Sequence, residues 1–374
     1  MEVEKFVKIL NAEFYTGVPD SQLKALCDYL MRHYGIDSHH HIIAANEGNC
    51  TALAAGYYMA TGKIPVVYMQ NSGEGNAINP IASLLNKQVY AIPIVFVIGW
   101  RGEPGIHDEP QHIYQGEITT RLLELMKVDY FIISKETLDS EVEMAMAGFR
   151  EKLMQGQSVA FVIRKNALES SEKMVYQNLN KMNREEVIRH IVAISKEDPV
   201  ISTTGKSSRE LFEIRESNNT THATDFLTVG SMGHCSSIAL GIALNKPAST
   251  IWCIDGDGAA LMHMGAIPVI ADSQPQNLIH IVINNGSHET VGGQPTVMRK
   301  LNFWEIARDC GYPYSACVSD YASLDRELTA AKNRKKLTFI EVKCGLGARA
   351  DLGRPTISAI KNKENFMNYL NERQ

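Results

Sequence analysis

The sequence predicts an α/β fold: two parallel-sheet domains of one plan, each with helices on both faces of its sheet. Two observations carry that prediction. Short apolar runs of strand length alternate with helical patterns along the chain, which is how a parallel sheet is built, because its crossovers are helices. Landmarks of the first half also recur in the second at a fixed spacing.

The apolar runs of the first half lie at residues 14–16, 42–45, 65–69, 92–99, 130–134 and 159–164. Those of the second half lie at 200–203, 226–229, 250–254, 278–284, 315–318 and 337–343. Amphipathic helical patterns stand between them, for example at 47–60, 138–155, 207–217, 233–244 and 261–271. AlaAlaGly ending at Gly56 falls opposite AlaLeuGly ending at Gly241. The run ending at Met69 falls opposite the one ending at Ile254, and 94–97 opposite 279–282, all at an offset of 185 residues. Gly17 and Gly205, each after a threonine, sit close to that offset. Several coincidences in one register point to two copies of one plan. The polar stretch 166–183, with Ser170, Ser171 and Glu172, is the join.

Composition narrows the function. A chain of 374 residues favours two domains. Its apolar fraction of 44% is enough for full cores, and its charged fraction of 21% is ordinary. A net charge of −5 argues against a nucleic-acid partner, because no basic excess exists to neutralise phosphates. A small anionic substrate stays compatible, since a local basic pocket can sit in a mildly acidic protein. The seven cysteines are scattered with no CxxC pair, which suits buried fillers in a reducing cytoplasm better than disulfides or a zinc site. The charged N-terminus has no signal core, and the longest apolar run, 92–100, has strand length rather than membrane length.

Open α/β sheets bind ligands beyond the carboxyl ends of their strands, so those turns carry the chemistry. The strongest is IleAspGlyAspGlyAla at 254–259, between an apolar strand and a helical pattern. Gly256 and Gly258 let the backbone approach a ligand, and the N–H groups that start the next helix, around Ala259, suit phosphate. Asp257 is placed to hold a cation. The next apolar strand ends in Asn284 and Asn285, which sets an amide oxygen near the carboxylate. Magnesium takes about six oxygens and favours one or two protein ligands beside phosphate. Asp257, Asn285, a backbone carbonyl near Ser287, two diphosphate oxygens and a water would complete the set. GlyAspGly alone is more often a plain strand-to-helix turn; the asparagine pair at this spacing favours the magnesium diphosphate site.

GlyAspGly followed by AsnAsn resembles the diphosphate motif of the thiamine diphosphate enzymes. That resemblance implies thiamine diphosphate with Mg2+, held through Asp257, Asn285 and the Ser287 carbonyl. In GlySerMetGly at 230–233 it makes Met232 the apolar wedge that bends the cofactor. The Gly230 carbonyl then accepts from the aminopyrimidine, and Ser231 lies between the two. Glu47, in AlaAsnGluGlyAsn at 45–49, becomes the acid that hydrogen-bonds the pyrimidine and helps the thiazolium carbon lose its proton. By itself such an acid could simply serve the helix dipole. Residues 1–168 would be the pyrimidine-binding domain, 169–183 a linker and 184–374 the diphosphate-binding domain. The family usually places the two cofactor ends on different subunits, so a homo-oligomer, at least a dimer, is implied. The larger members insert a third domain, for which 166–183 is too short.

With this cofactor, loss of carbon dioxide from a 2-oxo acid is the default reaction. GlyValProAspSer at 17–21 starts a helix, where Ser21 and unpaired N–H groups could hold an anion. Arg101, His107, Asp108 and His112 share one segment after a strand end, and the two histidines are candidate proton donors or substrate contacts. Lys206 and Arg209 could face an anion; they do not belong to a P-loop, because Val200 stands where its leading glycine would be. His288 opens a glycine-hinged, lid-like stretch, 288–296, and Arg349 and Arg354 add basic groups near the C-terminus.

In this order the motifs resemble the phosphonopyruvate and sulfopyruvate decarboxylases. That implies a carboxy-lyase of phosphonate biosynthesis, taking 3-phosphonopyruvate to phosphonoacetaldehyde. A sulfopyruvate decarboxylase giving sulfoacetaldehyde, or another 2-oxo acid decarboxylase or carboligase, is the alternative. Arginine and lysine suit a phosphonate and a sulfonate almost equally; a single chain favours the phosphonate, because the sulfopyruvate relatives are often split in two. His107 and His112 stand where larger pyruvate decarboxylases use an adjacent pair, and the histidines at 39–41 read as a polar edge. A nicotinamide fingerprint starting at Gly73 fails, since Ile78 replaces its last glycine. A non-catalytic nucleotide-binding regulator would need the Asp257 site without Glu47.

Overall fold

The structure, a computed structural model, describes residues 1–372. The first sheet contains β1 (Tyr15–Gly17), β2 (His41–Ile43), β3 (Val66–Gln70), β4 (Val95–Gly99), β5 (Asp129–Ile133) and β6 (Val159–Ile163). The second contains β7 (Val200–Ser202), β8 (Asp225–Leu227), β9 (Ile251–Gly256) and β10 (Leu278–Asn284). After a short ribbon of β11 (Ser287–His288) and β12 (Gln294–Pro295), it adds β13 (Tyr314–Val318) and β14 (Thr338–Lys343). All twelve apolar runs become strands, and their pairings in both large sheets are parallel.

The strand orders are β2-β1-β3-β4-β6-β5 and β13-β14-β10-β9-β7-β8. Counted one to six within its own half, each sheet reads 2-1-3-4-6-5. The internal repeat is therefore a repeat of topology. Strands buried on both faces need apolar residues at every position, which is why β4 and β10 read as unbroken runs. Side chains still alternate. Ile279, Ile281 and Ile283 of β10 join one core cluster, while Leu278 and Val282 join the other. In the first sheet Phe161 packs edge-on against Phe6 and Phe149.

The chain divides into two compact units, Met1–Val175 with Val291–Gln294, and Tyr176–Thr290 with the chain from Pro295 onward. The change at 175/176 falls inside the polar join. Glu169 bridges to Glu2 in the first unit, and Met182 bridges to Cys344 in the second. The histidine run is not uniformly a polar edge. His39 and His40 are exposed, but His41 begins β2 with its ring buried and its Nε2 2.8 Å from the Tyr68 hydroxyl. Burial pushes the His41 ring down to about 4. All seven cysteines are free thiols, five of them buried. No described helix is long and apolar enough to cross a membrane.

Candidate active site

In the first unit the turn after β2 leads into the helix Glu47–Thr61, capped by the Asn46 side chain, which accepts from the Asn49 N–H at 2.9 Å. Glu47 is its first residue and is 4% exposed. Asn76 Nδ2 donates to Glu47 Oε2 at 2.7 Å. Burial pushes the Glu47 carboxyl above the usual range, and the Asn76 bond opposes it. Gly73, in the turn after β3, closes the pocket: a Cβ there would lie 2.4 Å from Glu47 Cγ and 2.6 Å from Oε1. This is a carboxyl held in one place and biased towards keeping its proton, suited to a hydrogen bond with a basic ring nitrogen.

The turn after β4 gathers Arg101, Asp108 and Ser21. Arg101 donates twice to Asp108, at 2.7 and 2.5 Å, and once to Ser21 Oγ at 3.3 Å. Burial opposes ionisation of Asp108, but the guanidinium and the Gly102 and Glu109 N–H groups hold its carboxyl well below the usual range. His112 is half-buried, and its buried Nδ1 has no hydrogen-bond partner among the described residues. Burial and then the Arg101 charge push its ring down. His107 is exposed on the loop.

In the second unit Asp257 starts the helix Asp257–Met262 and is 4% exposed. Its Oδ2 accepts from Thr296 Oγ1 at 2.6 Å. Burial pushes the carboxyl up to about 6, against the Thr296 bond and the Gly258 and Ser287 N–H groups. Asn285 Oδ1 accepts from the same Ser287 N–H at 3.0 Å, and Ser287 Oγ is buried without a partner among the described residues. Asp257, Asn285 and Ser287 are thus brought together. A buried carboxylate and an amide oxygen held beside Ser287 form an oxygen-rich set that fits a hard divalent cation, which would offset the burial of the charge.

Around this set, a Cβ on Gly258 would meet the His288 ring and Met232 Cε, each at 3.4 Å. Burial pushes the His288 ring down to about 4. Gly230 is partly buried, and Ser231 is exposed with φ 51°. Lys206 donates to Glu289 Oε1 at 2.8 Å. Glu289 Oε2 accepts from Arg184 at 2.7 Å and from Asn285 Nδ2 at 2.9 Å. Arg184 also grips Glu210 with two bonds, at 2.7 and 2.8 Å. Arg209 donates to the Gly353 and Leu352 carbonyls at 2.6 and 2.5 Å, which ties it to the C-terminal loop.

Asn76, Gly73, Thr296, Arg184 and Glu289 were not singled out as site residues in the sequence. One signal was there: at the 185-residue offset Glu47 falls opposite Met232, and Gly73 opposite Gly258. The turns after strands two and three serve in both halves.

Comparison with known proteins assigns the family. The N-terminal TPP binding domain of thiamine pyrophosphate enzymes matches residues 3–123, and the C-terminal TPP binding domain matches 203–342. The chain belongs to the thiamine pyrophosphate enzyme family. Within it, the chain is 30% identical to a phosphonopyruvate decarboxylase of Streptomyces viridochromogenes, over 96% of this chain and 91% of that one. It is 29% identical to a phosphonopyruvate decarboxylase of Streptomyces hygroscopicus, over 97% and 92%. A sulfopyruvate decarboxylase of Methanosarcina acetivorans is 28% identical over 79% of each chain. That match is longer than either half, so that relative also carries both halves in one chain. Single-chain architecture therefore does not separate a phosphonate from a sulfonate substrate, as it had been expected to.

Proposed function

We propose that the chain is a thiamine diphosphate- and Mg2+-dependent carboxy-lyase that converts 3-phosphonopyruvate to phosphonoacetaldehyde and carbon dioxide. The likeness to a phosphonopyruvate decarboxylase over 96% of the chain carries this reading. Asp257, Asn285 and the Ser287 carbonyl would hold the metal. The backbone of Gly256, Gly258 and Ala259 would hold the diphosphate, with Gly230, Ser231 and Met232 seating the rest of the cofactor. When bound, thiamine diphosphate supplies the electron sink that lets a 2-oxo acid lose carbon dioxide.

The chain's own residues do the rest. Glu47 keeps its proton to a higher pH than an exposed glutamate, and donates it in a hydrogen bond to the pyrimidine. His112, through its unpaired Nδ1, and His107 move protons on the substrate side. Arg101 and Lys206 supply positive charge for the acid groups of the substrate, each sharing that charge with Asp108 or Glu289. Ser21 and His288 add polar contacts, and Arg209 acts through the loop it holds at Leu352 and Gly353.

The working unit is a homo-oligomer of at least two chains in the cytoplasm, where free thiols stay reduced. Each cofactor has its pyrimidine end on one chain and its diphosphate end on another. Mixing Glu47→Gln with Asp257→Ala chains should then restore about a quarter of wild-type activity, since half of the dimers are mixed and each has one intact site. No recovery on mixing would place both ends on one chain.

Substrate is tested by offering phosphonopyruvate, sulfopyruvate and pyruvate side by side with thiamine diphosphate and Mg2+, and measuring carbon dioxide and aldehyde. Phosphonopyruvate should lead in kcat/KM by at least about tenfold, the range that a few well-placed polar contacts supply. A lead for sulfopyruvate, which the likeness to the Methanosarcina acetivorans protein would favour, replaces the phosphonate reading. Release from none of the three removes decarboxylation.

A further inference from the structure

We propose that Cys235, Cys253, Asp255 and His280 form a closed, buried zinc site on the strand that leads to Asp257. Cys253 and Asp255 are two residues apart on β9, so their side chains leave the same face of the sheet. His280 lies on β10 directly beside Cys253 in the parallel register. Cys235 opens the helix Cys235–Asn245, and its side chain shares a core cluster with Cys253. The helix and β9 thus deliver Cys235, Cys253 and Asp255 to one point, and β10 sets His280 beside Asp255. No CxxC spacing announces them, because Cys235 and His280 come from other elements than Cys253 and Asp255.

The sulfur pair and the histidine–carboxylate pair each stand at the separation a tetrahedral ion sets, and a zinc ion would draw the His280 ring from beside Asp255 towards the two sulfurs. The two Sγ atoms are 3.9 Å apart. One ligand atom each from Cys235, Cys253 and Asp255 lies within 4.8 Å of the others. His280 Nε2 is 3.5 Å from Asp255 Oδ2. Zinc bonds of about 2.3 Å to sulfur and about 2.0–2.1 Å to nitrogen or oxygen set neighbouring sulfurs about 3.8 Å apart and a nitrogen–oxygen pair about 3.4 Å apart.

The second observation is what these atoms lack. Cys235 is 1% exposed and the other three are 0% exposed. Asp255 Oδ2 and His280 Nε2 have no hydrogen-bond partner among the described residues. Their 3.5 Å separation is too long for a good bond to each other. The opposite atom of each residue is anchored. Asp255 Oδ1 accepts from the Gly256 N–H at 2.8 Å, and His280 Nδ1 lies 3.2 Å from the Tyr312 hydroxyl. Ligands oriented by a partner on the far side, with the free atom aimed inward, are what a metal's surroundings require.

Two thiolates select a soft or borderline ion over magnesium, and four protein ligands leave no open position, so the site is structural. A Cys235–Cys253 disulfide would need the sulfurs to close from 3.9 Å to about 2.0 Å, and would leave Asp255 and His280 unpartnered. A zinc ion accounts for all four groups. It would tie helix, β9 and β10 together immediately before the turn that presents Asp257.

The test uses the full chain, expressed with added zinc, purified under reducing conditions and dialysed to remove loosely held ions. Elemental analysis should find about one zinc per chain. X-ray absorption on this protein should show two sulfur neighbours at about 2.3 Å and two nitrogen or oxygen neighbours at about 2.0 Å. The Cys235→Ala/Cys253→Ala double variant should lose at least nine-tenths of the zinc. If it does not fold, the absorption spectrum of the wild type decides alone. The proposal is overturned by zinc below about a tenth per chain, by zinc without sulfur neighbours, or by zinc retained in the double variant. A wild-type mass lower by about 2 Da with those two thiols blocked, the mark of a disulfide, overturns it as well.

Discussion

Replacing Glu74 with glutamine should flatten the dependence of stability on pH. Glu74 follows Gly73 at the start of the helix Glu74–Pro80 and is 2% exposed. Neither carboxyl oxygen has a hydrogen-bond partner among the described residues. Burial alone pushes its pKa from 4.5 up to about 9. The folded chain then keeps a proton that the unfolded chain releases, so folding takes up a proton between those two values. Stability is unaffected below the unfolded pKa and falls as pH rises through the window. Each pH unit inside it is worth about 1.4 kcal/mol, so going from pH 5.5 to pH 8 costs the wild type about 3 kcal/mol through this group. A unit of this size shifts its melting midpoint by about 2–4 °C per kcal/mol. The assay is thermal unfolding followed by circular dichroism, for wild type and Glu74→Gln at both pH values. The wild-type midpoint should drop about 6–12 °C further than the variant's between the two. Other titrating groups, His41 and His288 among them, act in both proteins and cancel in the comparison. Equal slopes in the two proteins would show that Glu74 is not a buried neutral acid.

The remaining predictions concern the site and its supports. Glu47→Gln should lower kcat by about 10²–10⁴, with thiamine diphosphate affinity within a few-fold by calorimetry; turnover close to wild type would remove its assigned role. Gly73→Ala should lower kcat at least about tenfold by displacing Glu47 while leaving Mg2+ affinity unchanged, because the added Cβ would lie 2.4 Å from Glu47 Cγ. Asp257→Ala should abolish the Mg2+ dependence of cofactor binding in a titration with and without chelator. Asp225→Asn should cost about 3–5 kcal/mol, read as a lower urea midpoint, because it unpairs the buried Arg215, now bound to Asp225 at 2.9 Å through two nitrogens.

The twelve strands were legible because a parallel strand covered on both faces must be apolar at every position, and the crossovers between strands must be helical. Glu47 and Asp257 were legible for a related reason: both follow strand ends, where short motifs stand out against apolar runs. The ownership of charge was not legible. Lys206 meets Glu289 from 83 residues away, and Arg209 meets the carbonyls of Leu352 and Gly353 from 143 and 144 residues away. Read along the chain, these were cations free to face a substrate. Folded, much of their hydrogen-bonding capacity is committed inside the second unit. Arg101 and Asp108 were read as sharing one segment, but the bidentate hold between them depends on how the loop after β4 turns back. Cys253 was read only as a scattered filler and His280 was not singled out, since only the register of β9 against β10 makes them neighbours.

The strand order 2-1-3-4-6-5, present twice in one chain, gives every turn of one half a counterpart in the other. The counterparts are not duplicates. Where the second half has Asp257 the first has Ser72, and where the first has Glu47 the second has Met232. The plan is shared and the residues at its turns are not, so neither half is a spare for its sibling.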